Sequence, residues 1–321
     1  MPGSGTRTFL ESDHYEASLR QAQIEFVITC GAGFKARQVW AELHHSQLLR
    51  CEEDLPRIGY ASLPRQLACV SFPGNSGPLP RWRGTELQPG DIMFHSLGER
   101  LHQTTAGGSV WSLITLDPVL LDDYSRVLFE RPLSPPGEGR VLRPAKRNVA
   151  RLRRLHAQAC RLAETKPKIL AHPEVARAIE QDLIHALVIC LIGAKVNEEG
   201  AAKRHHALVM IRFEEVLAEH LAGLRHMPKL CERVGVSERT LRSSCIEFLA
   251  VSPARYVLLR RLKAVRRTLR DADPDLANVA ELARLHGFTH PGRFAGVYSA
   301  AFGESPSSTL QRASKPIFAA Q

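Results

Sequence analysis

The sequence predicts an α+β protein in which an antiparallel β domain precedes a helical segment and an all-helical domain. Three observations support this prediction. Short apolar runs broken by turn-forming residues occupy residues 24–121, and amphipathic helical periodicity begins near residue 146. A helical pattern that occurs twice follows from about residue 206. A chain of 321 residues is long enough for about two domains with separate cores.

The β domain is predicted from five apolar runs of strand length, which read EFVITC, QVWAEL, QLACVSFP, DIMFHSL and VWSLITL. LQPGD (87–91) predicts a tight turn, because proline followed by glycine favours turn conformations before an apolar strand. Residues 1–20 are polar and are expected to be frayed. A Pro/Gly cluster at 132–144 ends the domain, which therefore spans 1–145.

A helical connector is predicted over residues 146–204. Two apolar stripes with helical spacing support it, namely Leu152, Leu155, Ala159 and Leu162, and then Ile179, Leu183, Leu187 and Leu191. Few charges surround the second stripe, so something must cover it. Packing within the chain and contact with a second copy in a homodimer are both consistent with this pattern.

Two copies of one helical unit follow in the C-terminal part, residues 205–321. GVSERTLRSSCIEFLAVSPARY (235–256) aligns with GFTHPGRFAGVYSAAFGESPSSTL (287–310), with glycine opposite glycine and Ser-Pro opposite Ser-Pro. Each copy consists of a short helix that stops at the glycine, a turn, and a second helix that opens on Ser237 or Thr289. This is a helix-turn-helix pattern, and its second helix can lie in the major groove of DNA.

The alignment of the copies divides each second helix into an inward and an outward face. The inward positions are Leu241, Cys245 and Leu249 in the first copy, and Phe294, Tyr298 and Phe302 in the second. The outward positions pair Arg239 with Gly292, Arg242 with Ala295, and Ser243 with Gly296. Arginine can contact guanine through two hydrogen bonds, whereas small residues let the backbone approach the duplex closely. The first helix is therefore expected to read bases.

Double-stranded DNA is the partner expected from these patterns. A formal net charge of +10 also favours a polyanionic partner. The residues expected to contact DNA are Ser237, Arg239, Thr240, Arg242, Ser243, Thr289, His290, Gly292, Arg293 and Gly296. For Arg293 and His290, at the margin of the second helix, a phosphate contact is as plausible as a base contact.

The C-terminal third, residues 206–312, resembles the DNA-binding domain of the AraC/XylS family of bacterial transcription regulators. The resemblance lies in SPARYVLLRRLKAVRRTL (252–269), VAELARLHGF (279–288) and FAGVYSAAFGESP (294–306). It implies two helix-turn-helix units bridged by one helix, with both recognition helices in successive major grooves on one DNA face. The bridging helix is expected from Pro253 to about Arg270.

The stretch PRWRGTELQPGDIMFHSLGERLHQTT (80–105) resembles the cupin-like sensor domain that many members of this family carry. The resemblance implies a β-barrel whose interior accepts a small effector or is simply packed. The metal-binding frame of cupin enzymes is incomplete here, because Leu101 stands where its histidine belongs and His102 would point to the opposite side of a strand. His95 also lacks a companion histidine two residues away. No metal and no cofactor are expected.

We therefore interpret the sequence as a DNA-binding transcriptional regulator, not an enzyme, controlled by a small-molecule effector and acting as a homodimer. An activator would also contact RNA polymerase. The absence of an apolar signal core or membrane-length apolar run predicts a cytoplasmic location, and seven scattered cysteines predict reduced thiols. Two alternatives remain: a metal-dependent cupin enzyme with a helical appendage, and a ligand-independent DNA-binding protein whose β domain only dimerises.

Overall fold

The structure, a computed structural model, describes residues 3–19, 22–31, 33–74, 76–197, 200–223 and 226–313. The chain divides into two compact units. The first unit comprises Met1–Phe26, Phe34–Leu55 and Gly59–Gly200, and the second comprises Val27–Gly33, Pro56–Ile58 and Ala201–Gln321. None of the helices in the described part of the chain has both the length and the apolar character needed to cross a membrane.

The β-strands lie in the first two-fifths of the chain, apart from a late pair. They are β1 (Gly3–Phe9), β2 (Gln23–Ile28), β3 (Ala36–Glu42), β4 (Ser46–Glu53), β5 (Arg57–Ser62), β6 (Ala68–Pro73), β7 (Arg81–Trp82), β8 (Thr85–Glu86), β9 (Ile92–Phe94), β10 (Arg100–Thr105), β11 (Ser109–Leu116), β12 (Arg140–Arg143) and β13 (Lys195–Asn197). One sheet has the order β1-β3-β4-β11-β6-β9-β12-β13, and the other has the order β2-β5-β10-β7-β8.

These sheets confirm the predicted antiparallel β domain, but among the described residues they are two open sheets and not one closed barrel. Strand β11 lies between β4 and β6 and is antiparallel to both. All of its residues are buried, and Ile114 and Leu116 lie in an apolar core that the sheet shares with helices. The predicted LQPGD turn is present: Gly90 has φ of 93°, and the amide of Asp91 donates to the carbonyl of Gln88 at 3.0 Å.

Residues 3–19 contain two ordered elements, so the prediction of a frayed N-terminal segment is wrong for these described residues. Strand β1 pairs along its whole length with β3. Helix α1 (Ser12–Ser18) follows, and its Tyr15 is fully buried and donates a 2.8 Å hydrogen bond to Glu53. Glu53 also accepts a 2.7 Å hydrogen bond from Trp111. Backbone pairing and this buried carboxylate hold a segment whose side chains are largely polar.

Four more helices belong to the first unit, namely α2 (Pro118–Phe129), α3 (Lys146–Thr165), α4 (Pro167–Leu170) and α5 (Pro173–Ile192). The apolar stripe of α5 is covered within the chain: Leu187 is 0% exposed and Leu191 is 7% exposed, in a core shared with α3 and the larger sheet. The buried carboxylate of Glu180 fixes α5 by accepting 2.8 Å hydrogen bonds from the amides of His45 and Ser46. Of the two alternatives left by the sequence, packing within the chain is therefore correct for this stripe, and a dimer contact through it is wrong.

The second unit is helical, as predicted. Its helices are α6 (Ala201–His220), α7 (Met227–Val234), α8 (Glu238–Leu249), α9 (Pro253–Asp271), α10 (Val279–Leu285), α11 (Pro291–Phe302) and α12 (Pro306–Ala313). They enclose two apolar clusters, one around α6, α7 and α8 and one around α10, α11 and α12, with α9 contributing to both. The α+β class, with a β domain first and a helical domain last, is confirmed.

Candidate DNA-binding interface

The first helix-turn-helix unit consists of α7, a turn at Gly235 and α8. Gly235 ends α7 in the left-handed region with φ of 76°, and its amide donates to the carbonyl of Cys231 at 2.9 Å. Ser237 caps α8 by accepting a 3.1 Å hydrogen bond from the amide of Thr240, as the sequence predicts. The hydroxyls of Ser237 and Thr240 are also 2.9 Å apart. Both side chains therefore help to start the helix.

Helix α8 has a buried face and an exposed face that match the repeat alignment. Leu241, Cys245 and Leu249 are buried in the core of the first helix-turn-helix unit. Arg239, Arg242 and Ser243 are exposed on the other side. Within the described part of the chain, no hydrogen bond or ion pair engages the guanidinium groups of these two arginines. Two cations are thus displayed side by side on one helical face.

The second unit repeats this arrangement with α10, Gly287 and α11. Gly287 adopts φ of 86°, and its amide donates to Arg284 at 3.0 Å. The predicted cap of α11, Thr289, is one residue early, because the helix begins at Pro291 with His290 in the cap position. The His290 side chain makes no capping hydrogen bond. The turn of the second unit has one residue more than that of the first unit, and proline favours the first helical position. Both features move the start of α11 toward the C-terminus.

Aromatic rings form the inner face of α11. Phe294 and Tyr298 are buried with ring centres 5.5 Å apart, and Phe302 lies 4.7 Å beyond Tyr298. The Tyr298 hydroxyl hydrogen-bonds the hydroxyl of Thr309 in α12 at 2.8 Å. Burial raises the pKa of Tyr298 to about 12, so the hydroxyl stays protonated. Large rings inside and small residues outside give a packed helix with a nearly bare outer surface.

In the second helix-turn-helix unit, every position for which the sequence predicts a DNA contact is exposed. These positions are Thr289, His290, Gly292, Arg293 and Gly296. A Cβ atom built on Gly292 or Gly296 would meet no atom within 4 Å. Neither glycine is therefore required by packing within the protein.

Helix α9 bridges the two units over the predicted length and begins with the predicted Ser252 cap, which accepts from the amide of Arg255 at 3.3 Å. Much of its positive charge is used internally. Arg260 donates to the buried carboxylate of Glu214 at 2.8 Å, and Arg261 donates to the carbonyl of Leu221 at 2.9 Å. Those cations hold the helices together and are withdrawn from phosphate contact.

The same buried carboxylate, Glu214, also accepts a 2.6 Å hydrogen bond from the hydroxyl of Tyr256. Burial, reinforced by the charge of Glu214, raises the pKa of Tyr256 well above its usual value. The phenol therefore remains a donor at physiological pH. Helix α6, which supplies Glu214, is joined to the bridging helix by two charge-assisted hydrogen bonds, those from Tyr256 and Arg260.

In the first unit, the histidine considered for metal binding is part of a buried polar cluster. His95 follows β9; its Nδ1 atom lies 2.8 Å from Glu99 and its Nε2 atom 2.7 Å from the hydroxyl of Ser71. Glu99 also pairs with Arg83 at 3.4 Å. His102 lies elsewhere, against the ring of Tyr60. Among the described residues, no group of three or more His, Cys, Asp or Glu side chains could hold a metal ion.

Comparison with known proteins identifies the helical region. A helix-turn-helix domain family matches residues 230–312, which run from within α7 to within α12. The XylDLEGF operon transcriptional activator of Pseudomonas putida is 25% identical over 246 residues, which cover 74% of this chain and 73% of that protein. The helix-turn-helix region is therefore of the AraC/XylS type. The probable thc operon regulatory protein of Rhodococcus erythropolis is 40% identical over 149 residues, 45% of this chain and 44% of that protein.

These relatives are named as transcriptional regulators, which supports a regulator over the alternative of a cupin enzyme. Solved structures with a similar chain path include the AraC-like transcriptional activator CuxR, with 16% identity, a TM-score of 0.42, and coverage of 89% of this chain and all of that one. ToxT from Vibrio cholerae has 9% identity and a TM-score of 0.29, with coverage of 92% of this chain and 99% of that one.

Proposed function

We propose that this AraC/XylS regulator recognises its DNA site mainly through α8. The observation that supports this proposal is the difference between the exposed side chains of the two recognition helices. Arg239 and Arg242 stand exposed on α8, whereas the aligned positions on α11 are Gly292 and Ala295. Each arginine can bind guanine through two hydrogen bonds, which contributes about 1–3 kcal/mol of discrimination against a wrong base.

Helix α11 has a different role in this proposal. Its small outer residues, including Gly292 and Gly296, let the helix backbone approach the duplex, and Arg293 and His290 contact phosphates at the margin. Thr289 in the turn and Ser243 on α8 supply hydroxyl groups to the DNA surface. Contacts to phosphate add affinity without reading the base sequence. In this proposal α11 therefore contributes DNA affinity, and α8 contributes sequence selectivity.

Mutation of the exposed arginines tests this division. A preferred duplex is first selected from a random-sequence pool with the wild-type protein, and binding is then measured across its single-base variants. Arg239→Ala and Arg242→Ala are expected to remove base preference, whereas Arg293→Ala weakens binding to all duplexes alike. Arg177→Ala, an exposed arginine of α5, is the matched control. Two results would contradict the proposal. One is wild-type selectivity in the α8 variants, and the other is equal base preference at the base pairs facing α8 and at those facing α11.

We also propose functional ranges for the chain: a cupin-like effector sensor over 1–145, a connector over 146–204 and the DNA-binding domain over 205–321. A buried polar cluster inside the β domain, built on His95 and Glu99, is compatible with a sensor that discriminates polar small molecules. A ligand that binds only the native state raises the melting temperature. All three tryptophans, Trp40, Trp82 and Trp111, lie in the first unit, so their fluorescence reports its unfolding.

The fluorescence measurement distinguishes an effector-controlled regulator from a ligand-independent one. Small organic acids, sugars and aromatic compounds are added separately to the full-length protein, and the melting temperature of the first unit is recorded. A saturable increase for one class, together with a change in DNA affinity, is the expected result. If no compound shifts the transition while DNA binding is intact, the first unit serves assembly alone.

The proposal also covers the oligomeric state of the protein and its location in the cell. The regulator acts as a homodimer on double-stranded DNA in the cytoplasm, and it contacts RNA polymerase if it activates transcription. The names of the Pseudomonas relatives as activators support the activating role. Sedimentation of the full-length protein tests the dimer. The stripe that contains Leu187 lies inside the first unit, so the contact uses another surface.

A further inference from the structure

The outward face of α3 carries a row of arginines, Arg147, Arg151, Arg154 and Arg161, here called the arginine stripe. All four are exposed. At 100° per residue their positions fall within an arc of about 80°, and at 1.5 Å per residue they extend over about 21 Å of helix. The opposite face contains the buried residues Val149, Leu152, His156, Ala159, Cys160 and Ala163. The helix is therefore amphipathic, with a single charge sign on its outer side.

The positive charge of this stripe is not neutralised within the described part of the protein. No hydrogen bond or ion pair there engages the four guanidinium groups. The only acidic residue of α3, Glu164, pairs with Arg37 of β3 at 2.9 Å. Arg153, which lies off the stripe, is instead half-buried and donates to the carbonyl of Pro73. The chain thus uses one arginine of this helix for its own fold and leaves the stripe for an external anion.

A second copy of this chain is a poor occupant for the stripe. In a two-fold symmetric contact the same patch of both copies faces itself, so arginine would oppose arginine. Like charges placed against each other disfavour association. A regular row of negative charge over roughly 20 Å complements the stripe, and a nucleic-acid backbone supplies such a row. One strand of duplex DNA presents a phosphate for about every 3.4 Å of axis.

We infer that the arginine stripe of α3 binds the phosphate backbone of duplex DNA. This inference rests on the proposed DNA-binding function and adds a second contact surface, in the first unit, to it. Guanidinium groups suit the site because they match phosphate oxygens with two donors each. The contact is independent of base sequence, so it raises affinity for any duplex and steepens its salt dependence.

The experiment compares two triple variants of the full-length protein that have the same net charge. The test variant is Arg151→Gln, Arg154→Gln and Arg161→Gln; the control variant is Arg131→Gln, Arg140→Gln and Arg177→Gln, all exposed positions of the first unit away from α3. Fluorescence anisotropy measures binding to a random-sequence duplex of about 60 base pairs over a salt series. The slope of log affinity against log salt should become shallower by about 0.9 for each phosphate that the variant no longer neutralises.

A shallower slope and weaker binding in the test variant alone support the inference. Equal behaviour of the test and control variants overturns it, and an acidic protein would then be the alternative occupant of the stripe. Failure of the wild type to bind any duplex would overturn the proposed function itself, which separates the two failures. The single variant Arg154→Gln, expected to leave about one phosphate without its cation, keeps the test decisive if the triple variant does not fold.

Discussion

Arg266 of α9 donates a 2.9 Å hydrogen bond to Glu304, and both side chains are largely buried. The second carboxylate oxygen of Glu304 accepts a 2.7 Å hydrogen bond from Arg312 in α12. The guanidinium of Arg266 also lies over the ring of Phe302, at 4.6 Å from its centre. One carboxylate after α11 thus joins the bridging helix to α12 and to the end of the second recognition helix.

Replacement of this carboxylate should loosen the second helix-turn-helix unit. In Glu304→Gln, Arg266 keeps its charge but loses its ion pair with Glu304 in a largely buried place, which should lower the free energy of unfolding by about 3 kcal/mol. Far-UV circular dichroism follows the helices of both units during urea unfolding, so a transition that shifts there but not in tryptophan fluorescence belongs to the second unit. Tryptophan fluorescence, which reports the first unit, should be unchanged.

Glu219→Gln is the control, because the exposed carboxylate of Glu219 lies 3.5 Å from the ring of the exposed His220. Such a surface pair contributes roughly 0–1 kcal/mol. Equal unfolding free energies for the two variants would show that the Arg266–Glu304 pair does not stabilise the unit.

The helix-turn-helix region could be predicted from sequence because its signals are local. Gly235 in the left-handed region, the Ser237 and Ser252 caps and the spacing of the inward residues all act within one or two helical turns. The start of α11 is misplaced for the same reason, since Pro291 and the preceding Thr289 give competing local signals. Where the structure is determined over a few residues, the sequence predicts it well.

The first unit contains the features that local signals miss. Tyr15 and Glu53 are 38 residues apart, so no local pattern in the sequence indicates that they form a hydrogen bond. Glu180 meets the turn at Ser46 across 134 residues. The polar sequence of β1 shows no apolar alternation, because pairing with β3 rather than burial defines that strand. Only the folded chain shows that the stripe containing Leu187 is already covered.

Gly235 and Gly287, the glycines of the two turns, allow the effect of an added Cβ atom to be compared at two positions with similar backbone conformation. Both Gly235 and Gly287 have positive φ, which costs a residue with a Cβ about 1–2 kcal/mol. A Cβ on Gly235 would meet nothing within 4 Å, whereas on Gly287 it would lie 2.8 Å from the carbonyl oxygen of Ala222. Gly287→Ala should therefore be clearly more destabilising than Gly235→Ala. Circular dichroism melts of both variants measure the difference, and equal melting temperatures would refute it.

His156 should make the first unit sensitive to acid. Burial, followed by the charge of Arg50, lowers its pKa to about 4, so the ring is neutral in the folded protein. In the unfolded chain its pKa returns to about 6.5. Between these values the unfolded state binds more protons, so stability falls as pH decreases from about 6.5 to 4, by about 3 kcal/mol in total.

Urea unfolding followed by tryptophan fluorescence at several pH values tests this dependence. His156→Gln should flatten the pH dependence across this window, whatever its effect on absolute stability. His172→Gln, at an exposed histidine before α5, should retain the wild-type pH dependence. A His156 variant with an unchanged slope would show that another group controls acid sensitivity.

Leu187→Glu distinguishes a core position from a subunit contact. Leu187 is fully buried between α5, α3 and the larger sheet, so a carboxylate there has no water and no counter-ion. Removal of the apolar packing should by itself cost several kcal/mol, in the range of about 2–5 known for buried leucine truncation, and the buried charge adds to this. The first unit is therefore expected to unfold, so that the native tryptophan signal disappears. Arg177→Glu, at an exposed position on the same helix, should leave that signal unchanged. A folded monomer from Leu187→Glu would instead mean that this stripe is a subunit contact.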